Sequence, residues 1–269
     1  MKLAAIQLRS GIDIAANIKT ASAAIRKAAA QGAQFIATPE MTNIIQRSPK
    51  RLHAAIKPMI DAPEVSAFAA LAKELSIDLL IGSMAFKVNE GRAVNRAVLF
   101  GPDGRIRTHY DKIHLFDVTI SRAETWKESN VYDRGDKAVS VDITGAKLGL
   151  SICYDIRFAK LYQSYAQNGA QIIAAPSAFT VPTGRAHWET LLRARAIETG
   201  SFIIAPAQGG AHEDGRTTYG RSMIIGPWGD VRASLDHDNP DICMAEIDLA
   251  DVVDARAKIP AWNYAPDFT

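Results

Sequence analysis

Two thiols are available for chemistry in this chain, Cys153 and Cys243, and their surroundings differ. Cys153 stands in Leu148-Gly149-Leu150-Ser151-Ile152-Cys153-Tyr154-Asp155-Ile156-Arg157-Phe158, where an apolar, β-prone run meets an abrupt change of polarity. The pattern predicts a strand that ends at the cysteine and a turn toward a helix. A thiolate at such a junction gains exposure, backbone N–H donors and the field of a helix N-terminus, all of which favour the ionised sulfur. The competing reading is that free cysteine is a small buried hydrophobe. Cys243, inside the strand-like run Ile242-Cys243-Met244-Ala245-Glu246-Ile247, has no polar partner at hand and reads as core.

A nucleophilic sulfur needs a base. Six histidines are candidates, His53, His109, His114, His187, His212 and His237, and spacing does not choose among them. Glu40 offers another route: it follows an apolar strand directly, behind Pro39, which fixes the backbone. Lys112, in Tyr110-Asp111-Lys112-Ile113-His114-Leu115-Phe116-Asp117, also comes just after a strand. Strand ends are where α/β folds gather their chemistry, although charges there are also commonly solvated faces.

The elements that must position these groups alternate along the chain. Strands are expected at 2–8, 34–37, 78–86, 94–100, 105–109, 138–142, 147–153, 171–175, 201–205, 222–225, 231–233 and 242–247. Helices are expected at 14–30, 64–75, 159–167, 185–198 and 249–257. Pro102-Asp103-Gly104 marks a hairpin turn. Eleven or twelve strands are many for one open sheet, so two mixed sheets packed face to face, with helices outside, are expected. The class is α/β.

Size and charge set the outer limits. With 269 residues, 48% of them hydrophobic, the chain can bury a large core, and no linker, repeat or low-complexity stretch divides it. A single domain over 1–269 is expected, with 260–269 as an extended C-terminal tail. A net charge of +2 with interleaved signs argues against nucleic acid as a partner. No run approaches the roughly 20 apolar residues of a membrane span, and the N-terminal apolar run is too short for a secretion signal, so a cytoplasmic location is the default. No His-x-His or His-Glu-x-x-His spacing suggests a metal site, and no Gly-x-Ser-x-Gly elbow suggests a serine hydrolase.

Thr38-Pro39-Glu40-Met41, Tyr110-Asp111-Lys112-Ile113-His114-Leu115 and Gly149 through Phe158 resemble, in order, the three signature regions of the nitrilase, or carbon–nitrogen hydrolase, superfamily. The resemblance runs over essentially the whole chain and implies the α-β-β-α sandwich. It implies Glu40 as general base, Lys112 as oxyanion stabiliser and Cys153 as nucleophile, with Glu128 as a second glutamate beside the lysine and the backbone N–H of Tyr154 as a further oxyanion donor. No metal or organic cofactor is implied. Four further segments, Pro176 to Phe179, Thr183 to Glu189, Leu191 to Thr199 and Tyr219 to Met223, resemble Nit-type amidases, more closely the deaminated glutathione amidases than the ω-amidases. The chain departs from those relatives at Ile120-Ser121-Arg122-Ala123 and at Arg221.

The expected reaction is hydrolysis of a terminal amide on a small carboxylate-bearing compound through a cysteinyl thioester, releasing ammonia. Nitrile or N-carbamoyl substrates, and a non-catalytic binding module on the same fold, are the alternatives. Burial among apolar strands should raise the pKa of Glu40 toward that of the thiol. The resemblance suggests that Arg157 grips a substrate carboxylate, with Phe179 and Thr183 nearby; an ion pair with Asp155 is the competing role. His187 and Trp188 read as structural, and Glu189 as reaching the site from the first turn of its helix. The family commonly dimerises through outer helices, so a homodimer or larger assembly is expected, with helix 159–167 and the tail aromatics Trp262, Tyr264 and Phe268 as its surface.

Overall fold

Short apolar runs build two mixed sheets, seen in a computed structural model that describes residues 1–121 and 124–264. In the seven-stranded sheet the order is Asp241–Glu246, Lys2–Gln7, Phe35–Ala37, Asp78–Asn89, Arg92–Phe100 and Ile106–Asp111, with Tyr132–Asp133 beside Arg92–Phe100. The six-stranded sheet runs Val231–Ser234, Met223–Ile225, Phe202–Ala205, Ile172–Ala174, Ala146–Leu150 and Val139–Ile143. Three adjacent strands at the middle of each sheet are parallel, Lys2–Gln7 with Phe35–Ala37 and Asp78–Asn89 in one, and Ala146–Leu150 with Ile172–Ala174 and Phe202–Ala205 in the other. Their carboxyl ends are thus gathered on one edge of each sheet, and the candidate residues hang from those ends.

Alternation along the strands assigns the layers. Leu3, Ala5, Phe35, Ala37 and Leu80 face the second sheet and pack with Leu148, Leu150 and Ile172, while Ala4, Ile6, Ile36, Leu79 and Ile81 face the helices Ile14–Ala30 and Pro63–Leu75. On the far side of the second sheet, the helices Ala159–Gln167 and Val181–Thr199 bury Tyr162, Tyr165, Trp188, Leu192 and Ala196. The expected α-β-β-α sandwich is therefore present. Cys243 is buried in its core on Asp241–Glu246, and burial pushes its thiol up to about 12.

Glycine permits one close approach that bears on the site. A Cβ on Gly82 would lie 1.9 Å from the Thr38 carbonyl oxygen and 2.4 Å from Cβ of Pro176. Only a bare backbone lets the strand Asp78–Asn89 pass between the segment leading to Glu40 and the one that supports Cys153.

Several expectations change. The helix expected from Arg185 begins at Val181, because Pro182 in a first turn sacrifices no intrahelical hydrogen bond. Helix Pro49–Ala55, capped by Ser48, is too short to show a period. Two ribbons, Asp117–Ser121 with Glu124–Lys127 and Gly209–Ala211 with Thr217–Tyr219, were not expected; each forms a two-stranded sheet apart from the two main ones. The tail does not run extended from residue 260: Pro260–Asn263 forms a turn whose Trp262 lies under Arg256 at 4.7 Å, and Gln163 donates to the Tyr264 carbonyl. Phe268, like Arg122 and Ala123, lies outside the described residues.

Candidate active site

Glu40 and Cys153 occupy equivalent positions on the two sheets, each three residues beyond a central parallel strand, Phe35–Ala37 and Ala146–Leu150. Lys112 directly follows Ile106–Asp111 and is held there by its own N–H, which donates to the Asn95 carbonyl at 3.0 Å. These three side chains, 72 and 113 residues apart in sequence at their widest neighbours, line one cavity of about 350 Å³. The Lys112 ammonium donates to Glu40 Oε1 at 2.8 Å and to both oxygens of Glu128, at 3.1 and 2.8 Å. The Cys153 thiol lines the same cavity, close enough to Glu40 for each group to shift the ionisation of the other.

Further donors reach both carboxylates, so that each of their four oxygens accepts at least one hydrogen bond. The Asn95 amide donates to Glu40 Oε1 at 2.9 Å and to Glu128 at 3.2 Å, the Ala178 N–H donates to Glu40 Oε2 at 2.9 Å, and the Phe116 N–H donates to Glu128 Oε2 at 2.7 Å. Buried charges persist only when paired and hydrogen-bonded in this way. Asn95 was not among the expected site residues. Its signal is an uncharged polar side chain, fully buried, in the strand Arg92–Phe100, whose other polar residues are the half-buried Arg92 and Arg96.

These contacts settle which groups carry charge. Burial pushes Glu40 up, as expected, but the Lys112 charge, the hydrogen bonds from Lys112 and Asn95 and the adjacent Cys153 thiol outweigh it, so the carboxyl lies below its ordinary value. Burial pulls Lys112 down, yet the charges of Glu128 and Glu40 hold it well above the usual lysine range. Cys153 moves the other way from the sequence-based expectation: it is only 7% exposed, and burial followed by the nearby Glu40 charge raises its thiol well above normal. The resting site therefore holds carboxylate, ammonium and neutral thiol. A carboxylate beside a neutral thiol can take its proton as the sulfur attacks, and an ammonium alongside can face developing negative charge.

The turn that presents the sulfur is pinned from several directions. Cys153 opens the short 3₁₀ turn Cys153–Arg157 with φ of +50°, and its N–H donates to the Pro176 carbonyl at 2.9 Å. Met41, next to Glu40, is also left-handed, with φ of +57°. Such strain in non-glycine residues persists where the surroundings over-determine it. Asp155, fully buried, accepts from Ile152 N–H at 2.8 Å, Tyr110 hydroxyl at 2.7 Å and His114 N–H at 3.0 Å, with the His114 ring nitrogen 2.7 Å away. One carboxylate thus ties the segment before Cys153 to the segment after Lys112. Asp155 is accordingly committed and does not pair with Arg157.

Arg157, Phe179 and Thr183 all line the cavity, as does the ring of Tyr154. Among the described residues Arg157 has no acidic partner; its guanidinium stands 5.7 Å from the rings of both Tyr154 and Phe179 and 3.3 Å from His187 Nδ1. Phe179 leans on the buried Trp188, whose Nε1 donates to the Arg221 carbonyl, so Trp188 is structural. His187 is exposed rather than packed. Glu189 does not reach the cavity: with the helix starting at Val181 it falls in the third turn, exposed, against Arg193 at 3.4 Å. Arg221 also lies outside the cavity lining, while Arg47, Trp126, Lys127 and Arg216 line it without having been expected. Among the described residues, no group of three or more His, Cys, Asp or Glu side chains is placed to hold a metal ion.

Known proteins share this arrangement of chain. The sequence pattern of the carbon–nitrogen hydrolase family matches residues 2–257. Deaminated glutathione amidase of Synechocystis sp. is 36% identical over 266 residues, covering 97% of this chain and 96% of the relative. Omega-amidase NIT2 of Homo sapiens is 35% identical over 262 residues, covering 97% and 94%. The crystal structure of the NitFhit protein of C. elegans superposes with a TM-score of 0.89 at 35% identity over 98% of this chain and 64% of that one. Nit3 of Saccharomyces cerevisiae, described as a member of branch 10 of the nitrilase superfamily, gives a TM-score of 0.86 at 26% identity over 97% and 94%.

Proposed function

The chain belongs to the carbon–nitrogen hydrolase family, and we propose that it hydrolyses a terminal amide of a small carboxylate-bearing compound through a thioester on Cys153, as a deaminated glutathione amidase or an ω-amidase would. The observation that carries this reading is the buried ammonium of Lys112 between Glu40 and Glu128, with Glu40 and the Cys153 thiol facing the same cavity. In the proposed first half-reaction, the sulfur attacks the amide carbon while Glu40 takes the thiol proton. The oxyanion is met by Lys112 and the Tyr154 N–H, each preorganised donor worth about 3 kcal/mol. Protonated Glu40 passes its proton to the departing nitrogen, and the C–N bond breaks.

Water then attacks the thioester, with Glu40 again as base, and the carboxylic acid leaves as the thiol is restored. Glu128 keeps Lys112 charged and aimed. Arg157 receives the substrate carboxylate through its planar fork, beside Phe179 and Thr183. An ω-amide of a 2-oxo acid would release ammonia, whereas deaminated glutathione would release an amine. The test is a panel of 2-oxoglutaramate, deaminated glutathione, simple nitriles and N-carbamoyl amino acids, read by chromatography as loss of substrate and formation of both hydrolysis products. Turnover of the two amides is expected. Nitriles or carbamoyl compounds as the sole good substrates would overturn the amidase reading.

The charge states above fix a pH profile. Glu40 must be ionised and lies below its ordinary value, so kcat/KM is expected to be flat from about pH 6 to 8 and to fall only below the ordinary glutamate range near 4.3. An acid limb centred between pH 6 and 7 would mean that Glu40 rests protonated, contrary to this mechanism.

The reading takes residues 1–269 as one hydrolase domain working in the cytoplasm as a homodimer or higher assembly. No helix among the described residues is long and apolar enough to cross a membrane. Assembly is supported by exposed apolar side chains near one another: Ile197 lies against the turn that carries Trp228, and Trp228 lies under Lys258, next to exposed Ile259. A solution mass equal to one chain would remove that part of the reading.

A further inference from the structure

The cavity that holds Cys153 has more positive charge than its chemistry uses. Among the described residues, five cationic side chains and two carboxylates line it. Lys112 is spent between the two carboxylates, and Arg157 is assigned to one substrate carboxylate. Two guanidiniums remain, and both stand over the same indole, Arg47 at 5.4 Å and Arg216 at 5.0 Å from the ring of Trp126.

Among the described residues Arg47 has no acid beside it as an ion pair, and Arg216 has one only at the long end of an ion pair. The acid nearest Arg216 is Asp214, at 3.7 Å, beyond hydrogen-bond reach, and Arg216 Nε and Asp214 Oδ2 are both buried without a hydrogen-bond partner. A guanidinium stacked by its face on an aromatic ring keeps its edge N–H groups free for an oxyanion. Two like charges on one indole repel each other until an anion comes between them.

We propose that Arg216, Arg47 and Trp126 form a second anion subsite, which takes a carboxylate at the end of the substrate remote from the one held by Arg157. This rests on the amidase reading above and ranks its substrates: amides that carry an acid on both sides of the scissile bond are preferred. The leaving group of the preferred substrate is then the amine of an amino acid or short peptide rather than ammonia.

Binding to the Cys153→Ala protein separates the two ideas, because turnover by the unmodified enzyme tests the hydrolase reading independently. Calorimetry would compare deaminated glutathione, with a carboxylate on its leaving amine, and 2-oxoglutaramate, which has none there. The parent should bind the first more tightly. Arg216→Gln should weaken it by about tenfold or more, as expected for losing a charge-assisted hydrogen bond, and change 2-oxoglutaramate less than about twofold on the same scale. Arg47→Gln, at an exposed position where the fold is not at risk, should act in the same direction. Equal affinity of the parent for both compounds, or equal weakening of both by the variants, would overturn the subsite.

Discussion

Lys112→Met should cost the protein its turnover and a large part of its stability together. Methionine fills much of the volume but leaves Glu40 and Glu128 buried without their shared cation. Breaking a buried pair by removing one partner costs about 3–5 kcal/mol, which for a chain of this size lowers Tm by on the order of 10 °C. Turnover should fall by at least about 10³-fold, because the oxyanion loses a donor and Glu40 loses the charge that keeps it ionised.

The same substitution should reverse a pH trend. In the unmodified protein Glu40 is depressed below its unfolded value, so its contribution to stability is present above the ordinary glutamate range and fades as pH falls through the folded pKa. Without Lys112, burial is left as the largest influence and raises Glu40. Its contribution is then present only below the unfolded pKa and is lost as pH rises through the raised one. Thermal melts of the variant should therefore show greater stability near pH 5 than near pH 8. Equal melting at both, with turnover retained, would remove Lys112 from the machinery.

Cys153→Ala carries the other large effect, with the opposite balance. Removing a neutral, buried sulfur leaves the charged cluster intact, so stability should stay within about 1 kcal/mol. Turnover should drop by at least about 10⁴-fold, since no other nucleophile stands in the cluster. Cys243→Ala is the control, because that thiol is sealed in the sandwich core and should leave the rate unchanged. A Cys153→Ala protein that still turns over amides at a tenth of the original rate would exclude a thioester.

What the sequence made legible was the ends of strands. Glu40 and Cys153 stand out because an apolar run stops and a polar residue follows, and a fold with parallel central strands collects such residues on one edge. Lys112 was visible for the same reason; its partner Glu128, sixteen residues away, was reached only through the family resemblance, and Asn95, seventeen residues away, was missed, because no local pattern encodes the turns that bring them together. The pKa of Glu40 shows the same limit: burial could be read from apolar neighbours, whereas the cation that outweighs it arrives from another strand. Asp155 was offered as a partner for Arg157 because the two are close in sequence. In the folded turn it points inward to Tyr110, His114 and Ile152, and Arg157 is left facing the cavity. Trp126 lies on the four-residue strand Glu124–Lys127 and Arg216 just before the three-residue strand Thr217–Tyr219, segments too short to stand out in the sequence, which is why this wall of the cavity was hidden.

The central claim is that the acyl group of the substrate passes through the sulfur of Cys153. Rapid-quench intact-protein mass spectrometry during a single turnover of 2-oxoglutaramate or deaminated glutathione, followed by peptide mapping, reads this directly. The account predicts a transient mass increase equal to the acyl group, on the peptide that contains Cys153, decaying as the carboxylic acid appears. Acid forming with no acylated protein at any time, or acyl carried on Cys243 instead, would contradict it.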